Sequence, residues 1–332
     1  MRHWLGSSLA GLAALLLNIC MGAAWAQPAN APAISYPART IKIVVPFTAG
    51  SATDILARLV GGQLAMRWSQ PVVVENRPGA GGTIGAAAVA RAEPDGYTLV
   101  VVSVGHVVNP HIYRSLPYDT LRDFAGVIPL GNLPSVLAVS PSLGVKSVAE
   151  LIAMAKARPG ALNYASGGVG SASHINAEKF RVATGIDVVH VPTKGAQEMM
   201  VETITGRTQF GFYPIVAALP MIREGKLTAL AISSSRRSAV LPDLPTIAEA
   251  GVPGAEFDFW IGLLAPAKTP QEIVGKLSGE IARVLGQPDV RQHLAALGVE
   301  PMPMSPAEFD AYMREQFTAL GSVMKAAGVK AE

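Results

Sequence analysis

Apolar and polar positions alternate between two periods along most of the chain. Ile41, Ile43, Val44 and Val45 form a short β-branched run that predicts a strand. Ile55, Leu56, Leu59 and Val60 recur at helical spacing and predict a helix over residues 53–68. Residues 72–74 and 98–102 are again β-branched runs bounded by Gly and Pro, as buried parallel strands are. The middle of the chain repeats the pattern, with strand-like runs at 162–165, 188–191, 209–212 and 227–232 separated by helical stretches. Capping boxes mark helix starts at Ser147 with Glu150, Thr246 with Glu249, Thr269 with Glu272 and Ser305 with Glu308. Pro270 and Pro306 fit a first helical position, and Pro159-Gly160 ends the helix begun at Ser147. The last 65 residues show helical patterning alone. A helical tail has no sheet of its own, so it is expected to pack on the first lobe.

These elements predict an α/β chain of two lobes. The first is discontinuous, residues 36–130 plus 264–330, and the second spans 138–254. Crossings between them are expected at 131–137 and 255–263. No repeat with a period of about 20–50 residues interrupts this scheme.

The N-terminus reads as an export signal. Arg2 supplies the positive n-region, residues 9–19 a short apolar core, and Ala24-Trp25-Ala26 an A-x-A cleavage site. The alternative is an anchored N-terminal helix, but the apolar stretch is short for spanning a bilayer. A lipid-attached Cys20 is disfavoured because Ile19 stands where a small residue is needed. Cleavage after Ala26 removes the only cysteine and residues 27–35 follow as a flexible Pro/Ala-rich leader. A mature chain without cysteine excludes disulfides, a Cys nucleophile and thiolate metal sites. The expected location is the periplasm.

Composition narrows the partners. Half of the 332 residues are apolar, 15% are charged, and the formal net charge is +3. Such a chain builds a large core and is not disordered. It has no run of Lys or Arg to track phosphates, which argues against a nucleic-acid partner.

Two glycine-rich loops carry most of the chemical information. Phe47-Thr48-Ala49-Gly50-Ser51-Ala52-Thr53-Asp54 follows the first strand and opens a helix. Ser166-Gly167-Gly168-Val169-Gly170-Ser171-Ala172-Ser173-His174 occupies the same position in the second lobe. A helix N-terminus presents unpaired N–H groups and partial positive charge, so two such loops are suited to pinch a carboxylate. Each loop also reads as ordinary helix capping. Gly79-Ala80-Gly81-Gly82-Thr83-Ile84-Gly85 resembles a dinucleotide loop, but Ile84 replaces the third Gly, and a tight turn lining the cleft accounts for it better. G-x-S-x-G and H-E-x-x-H patterns are absent from the sequence. His174 is read as a packed or hydrogen-bonding side chain, Asp54 as a cap, and Lys194 as a solvated charge.

Longer stretches identify a relationship. Pro46-Phe47-x-Ala49-Gly50-x-x-x-Asp54, Val72-Val73-Val74-Glu75-Asn76-Arg77-Pro78-Gly79 and Pro94-Asp95-Gly96-Tyr97 closely resemble the Bug family. So do Asn109-Pro110, Leu116-Pro117-Tyr118-Asp119, Asn163-Tyr164-Ala165-Ser166 and Leu241-Pro242-Asp243-Leu244-Pro245-Thr246. Members of this family are periplasmic solute receptors of tripartite tricarboxylate transporters. The resemblance implies a type II periplasmic-binding-protein fold, with two lobes, a hinge and a central cleft. It implies a small organic carboxylate ligand, no cofactor and no metal, and as partners the membrane components of the transporter or a sensor kinase. A monomer is expected.

Carried over by position, the resemblance assigns ligand contact to Phe47, Ala49, Gly50, Ser51, Ala52, Thr53 and Asp54 in the first loop. In the second it assigns Ser166, Gly168, Gly170, Ser171, Ser173 and His174. A third cleft loop corresponds to Ser103 and His106. Thr193 stands where the family commonly has Tyr, and Tyr213 where many members have Asp or Asn. These two departures argue against an amino-acid ligand and favour a dicarboxylate, a hydroxy acid or an aromatic acid. The rival reading is an exported hydrolase or lyase, with His174 or His106 as base for Ser171 or Ser103.

Overall fold

Short apolar strands, buried at the centres and partly exposed at the edges β2 and β7, build two separate sheets. The computed structural model describes residues 36–329, so the signal, its cleavage after Ala26 and the leader at 27–35 lie outside the described residues. All the elements fall in one unit, Pro37–Glu332. In the first sheet β1 (Ile41–Val45) lies between β2 (Val72–Asn76) and β3 (Thr98–Ser103), all parallel. Then β10 (Phe259–Pro266) runs antiparallel between β3 and β4 (Phe124–Leu133), giving the order β2-β1-β3-β10-β4. The second sheet repeats this plan: β7 (Val189–Pro192), β6 (Asn163–Ser166) and β8 (Phe210–Pro214) are parallel. There β5 (Ser135–Val139) runs antiparallel between β8 and β9 (Thr228–Ile232). Two mixed sheets flanked by helices make the two-lobed type II architecture.

The helices that matter for function begin at strand ends. In chain order they are α1 (Ala52–Trp68), α2 (Thr83–Ala90), α3 (Gly105–Ile112), α4 (Val148–Ala157), α5 (Ala172–Thr184), α6 (Ala196–Ile204) and α7 (Ile215–Arg223). After β10 come α8 (Gln271–Gly286), α9 (Pro288–Ala296) and α10 (Pro306–Ala326). Ser305 and Glu308 form the full reciprocal box at α10. Thr246 and Glu249 also bond reciprocally, but around one turn that does not continue as a helix. The expected box at Thr269 does not form: α8 starts two residues later behind Pro270, and the buried Thr269 hydroxyl has no partner among the described residues.

Between the sheets the chain is shorter than the patterning indicated. Strands extend into both expected crossings, so that only Pro134 separates β4 from β5, and β10 is already paired from Phe259. The apolar stretch from Phe259 pairs on both sides, with β3 and β4, inside the first sheet, where a flexible crossing would waste its burial. Ser233 ties the two crossings together. Its N–H donates to Ser135 O at 2.7 Å and its hydroxyl accepts Ser135 N–H at 3.2 Å. The same hydroxyl donates to Phe257 O at 3.2 Å, and Phe257 N–H returns a bond of 2.8 Å to Ser233 O.

The tail helix α10 is built onto the first sheet. Phe309 is fully buried, stands edge-on to Trp260, and lies where a Cβ on Gly262 would be 2.3 Å from its ring. Asp310 accepts Gly126 N–H at 2.8 Å. Gly262→Ala is therefore expected to overpack this contact and destabilise by about 1–3 kcal/mol. Phe309→Ala should cost about 3–5 kcal/mol through the cavity it leaves, and urea unfolding of both variants measures the pair.

Candidate functional site

The two glycine-rich loops fold as near copies of one another. Each leaves a parallel strand, β1 or β6, and enters a helix, α1 or α5. Ser51 and Ser171 are the N-caps, with φ/ψ of −68/160 and −69/157. Their hydroxyls lie 2.9 Å from Thr53 Oγ1 and 3.0 Å from Ser173 Oγ, and accept the N–H groups of Asp54 and His174. Their own N–H groups close turns onto Thr48 O and Gly168 O at 3.2 and 3.1 Å. The preceding residues, Gly50 and Gly170, adopt φ of +78 and +77, a region that favours glycine. Gly50 N–H donates to Asp54 Oδ2 at 2.9 Å, and Gly170 N–H donates to His174 Nδ1 at 3.2 Å.

One consequence is a set of free donors. Ala52 and Thr53, like Ala172 and Ser173, occupy the first two helical positions, where an N–H has no intrahelical acceptor. Among the described residues, no group accepts from any of these four. All four residues border a cavity of about 60 Å³ between the lobes. Hydroxyls of Thr48, Ser51, Thr53, Ser103, Ser135, Ser171 and Ser173 add to its polar lining, and Ala196, the first residue of α6, borders it as well. Phe47, Met199, Pro214 and Phe259 form its apolar wall. None of the lining residues carries a formal charge. A wider mouth of about 640 Å³, sharing Phe47, Thr48 and Gly167, is bordered by the Gly79–Gly82 turn on one lobe and Thr193 and Lys194 on the other.

The lobes meet around the cavity. Tyr113 hydroxyl donates to Val169 O at 3.2 Å. A Cβ added to Gly105 would lie 2.5 Å from Gly170 O, and one on Gly81 would lie 2.6 Å from Val169 O. Only residues without side chains allow this backbone approach.

Of the residues assigned from the sequence, Phe47, Ser51, Ala52, Thr53, Ser103, Ser171 and Ser173 border the cavity. The others sit elsewhere. Ala49 and Gly50 are exposed and do not border the cavity. Asp54 is buried behind that loop and bound by Gly50 N–H, Arg58 and Asn76. Burial opposes its ionisation, but these donors outweigh burial and hold its carboxyl below the usual range. His106 is packed between Tyr118 and Phe124, and burial pushes its pKa down to about 4. It borders a separate recess of about 10 Å³. Gly168 and Thr193 line the mouth, and the Thr193 hydroxyl closes onto Ser166 O at 2.8 Å. Tyr213 is fully buried with its hydroxyl on Thr203, and burial raises its pKa. The residue beside it, Pro214, borders the cavity instead, because neighbours along a strand face opposite sides.

Behind the second loop, three rings stack. Tyr164 lies on His190 at 4.8 Å between centroids, and His190 on His174 at 4.2 Å. Burial lowers the pKa of His174 to about 4, helped by the nearby Arg181, and that of His190 to about 3, helped by His174. Ser171 pairs with Ser173 and with His174 N–H, whereas the His174 ring takes Gly170, so the Ser171–His174 pair that the rival reading needs is not formed here. Among the described residues no three His, Cys, Asp or Glu side chains gather as a metal site, and no helix is long and apolar enough to cross a membrane.

Residues missed in the sequence divide into two kinds. Thr48, Gly167 and Ala172 lie inside the loops already identified, and their neighbours signalled them. Ser135 and Phe259 come from the expected crossings, Pro214 from the end of β8, and Gly195, Ala196 and Met199 from the start of α6, where nothing local marks a cavity wall.

Comparison with known proteins gives the family. Residues 56–329 match the family described as the tripartite tricarboxylate transporter family receptor. The chain is 36% identical to Protein BugT of Bordetella pertussis over 298 residues, 89% of this chain and 91% of that protein. Its structure is similar to R. palustris Rpa4515 with adipate, at a TM-score of 0.86, 36% identity, and coverage of 90% of this chain and 100% of that one. It is similar also to MatC (Rpa3494) from Rhodopseudomonas palustris with bound malate, at a TM-score of 0.82, 35% identity, and coverage of 87% and 99%. The chain belongs to the Bug family of receptors of tripartite tricarboxylate transporters.

Proposed function

We propose that this protein is a binding protein, not an enzyme, which captures a small organic carboxylate between its lobes. It then delivers that acid to the membrane components of a tripartite tricarboxylate transporter or presents it to a sensor kinase. The observation that carries the reading is the four partnerless N–H groups of Ala52, Thr53, Ala172 and Ser173 around one uncharged cavity. A carboxylate taken from water must find donors in place of hydration, and each charge-assisted bond contributes about 1.5–3 kcal/mol net. Two helix N-termini add partial positive charge at the same place. Relatives bound to adipate and malate support a dicarboxylate or hydroxy acid. The apolar wall of Phe47, Met199, Pro214 and Phe259 also suits an aromatic acid. A thermal-shift screen of adipate, malate, benzoate and related acids tests this, since ligand at 100 times its dissociation constant adds about 2.7 kcal/mol of stability. The reading fails if no carboxylate raises the melting temperature, or if a bound acid is converted to product.

If donors hold the anion, Ser171→Ala should weaken binding by about 1.5–3 kcal/mol. Lys194→Ala should leave most of the affinity, because Lys194 is exposed at the mouth and does not border the inner cavity. Calorimetry with the tightest acid of the screen compares the two variants.

Closure should depend on Gly105. It opens α3 with an ordinary φ, so Ala is acceptable to the helix, but its Cβ meets Gly170 O only when the lobes are together. Gly105→Ala is expected to keep the ligand-free melting temperature while lowering affinity by about tenfold or more, that is about 1.4 kcal/mol. Small-angle scattering should show compaction on ligand addition for the unaltered protein and less for this variant.

A further inference from the structure

The two loops differ in what holds their glycines. In the first, the Asp54 carboxylate accepts Gly50 N–H and is ion-paired to Arg58, four residues on, at 3.0 Å. In the second, an imidazole replaces the carboxylate, and the residue four positions on is the acid Glu178. An Asp at 174 would face that acid rather than an Arg. His190 holds the other positive-φ glycine of the loop. Ser166 Oγ lies 2.6 Å from His190 Nε2, accepts Gly168 N–H at 3.2 Å and lies 3.2 Å from Gly168 O. The one hydroxyl proton serves either Gly168 O or the ring, so the His190 Nε2 contact fixes this hydroxyl in either tautomer. Gly168 and Gly170 have φ of +116 and +77, so neither turn is fixed by a side chain of its own.

We propose that the stacked pair of His174 and His190 is the positioning element of the second loop. Two neutral imidazoles pin Gly170 and Gly168, and so present the Ala172 and Ser173 N–H groups to an anion without a negative charge beneath them. The proposal rests on the reading of the site as a carboxylate receptor. His174 serves only with Nδ1 unprotonated, which puts its proton on Nε2. The groups that face the pair are Glu178 and Arg181 on α5 and Tyr164 on β6, with Tyr164 donating to Glu178 and Arg181 paired to it. Glu178 is therefore already satisfied by two partners, and the depressed pKa values of both rings accord with neutral forms.

Nuclear magnetic resonance of the protein tests this without a ligand. At pH 7 the His174 ring should carry its proton on Nε2, and the Gly170 amide should be protected from hydrogen exchange. In His174→Ala the Gly170 amide should exchange about tenfold faster, the loss of roughly one net hydrogen bond. In His174→Asn, whose shorter side chain reaches the same N–H as Asp54 does in the first loop, exchange should stay within about twofold. Any of adipate, malate or benzoate that binds the unaltered protein should lose affinity in His174→Ala and recover it in His174→Asn. A proton on His174 Nδ1, or unchanged Gly170 exchange in His174→Ala, overturns the proposal; should the Ala variant not fold, the tautomer in the unaltered protein decides alone. Failure of all three acids to bind the unaltered protein would count against the carboxylate reading, while the exchange and tautomer results still decide on the histidines.

Discussion

An anion held inside a protein without a counter-charge depends on donors that have no other partner. Backbone N–H groups are normally paired, and leaving one buried and unpaired costs free energy. The first turn of a helix is the place where such groups exist by necessity. Here two helices, α1 and α5, aim that necessity at one cavity from opposite lobes. Everything around them serves to keep the four donors in place: the serine caps, the positive-φ glycines, and the side chains of Asp54 and His174 folded back beneath the loops.

The same constraint explains the sheets. A loop can project a helix N-terminus into a cleft only if its strand ends at the cleft edge. In both lobes the strand concerned, β1 or β6, lies between two parallel neighbours and is fixed by hydrogen bonds on each side. The antiparallel strands β10 and β5 then carry the chain past the cleft, placing Phe259 and Ser135 in its wall. The crossings are brief and joined through Ser233. Were the lobes to rotate, such a junction would confine the rotation to few residues.

How much of this was legible follows from the range of each signal. The strand β1, the helix α1 and both glycine loops are local patterns, and they stand where the sequence puts them. The cap at Ser305 is likewise local and forms in full. Long-range facts were not legible. The run beginning at Phe259 reads equally as crossing or strand until β3 and β4 are known to flank it. Tyr213 and Pro214 exchange roles because a one-residue step reverses the face of a strand, and no neighbouring residue reveals which face meets the cleft. Thr269 shows the converse case: a capping pattern is present, but the turn at Pro270 starts the helix without it.

The central claim is that the two loops act together as one set of donors. Amide proton resonances of Ala52, Thr53, Ala172 and Ser173, followed as a binding carboxylate is added, test it most directly. All four should shift downfield in parallel, with one affinity, and become protected from exchange. Movement confined to one pair, or to neither while the acid binds, would contradict a carboxylate gripped by both helix N-termini.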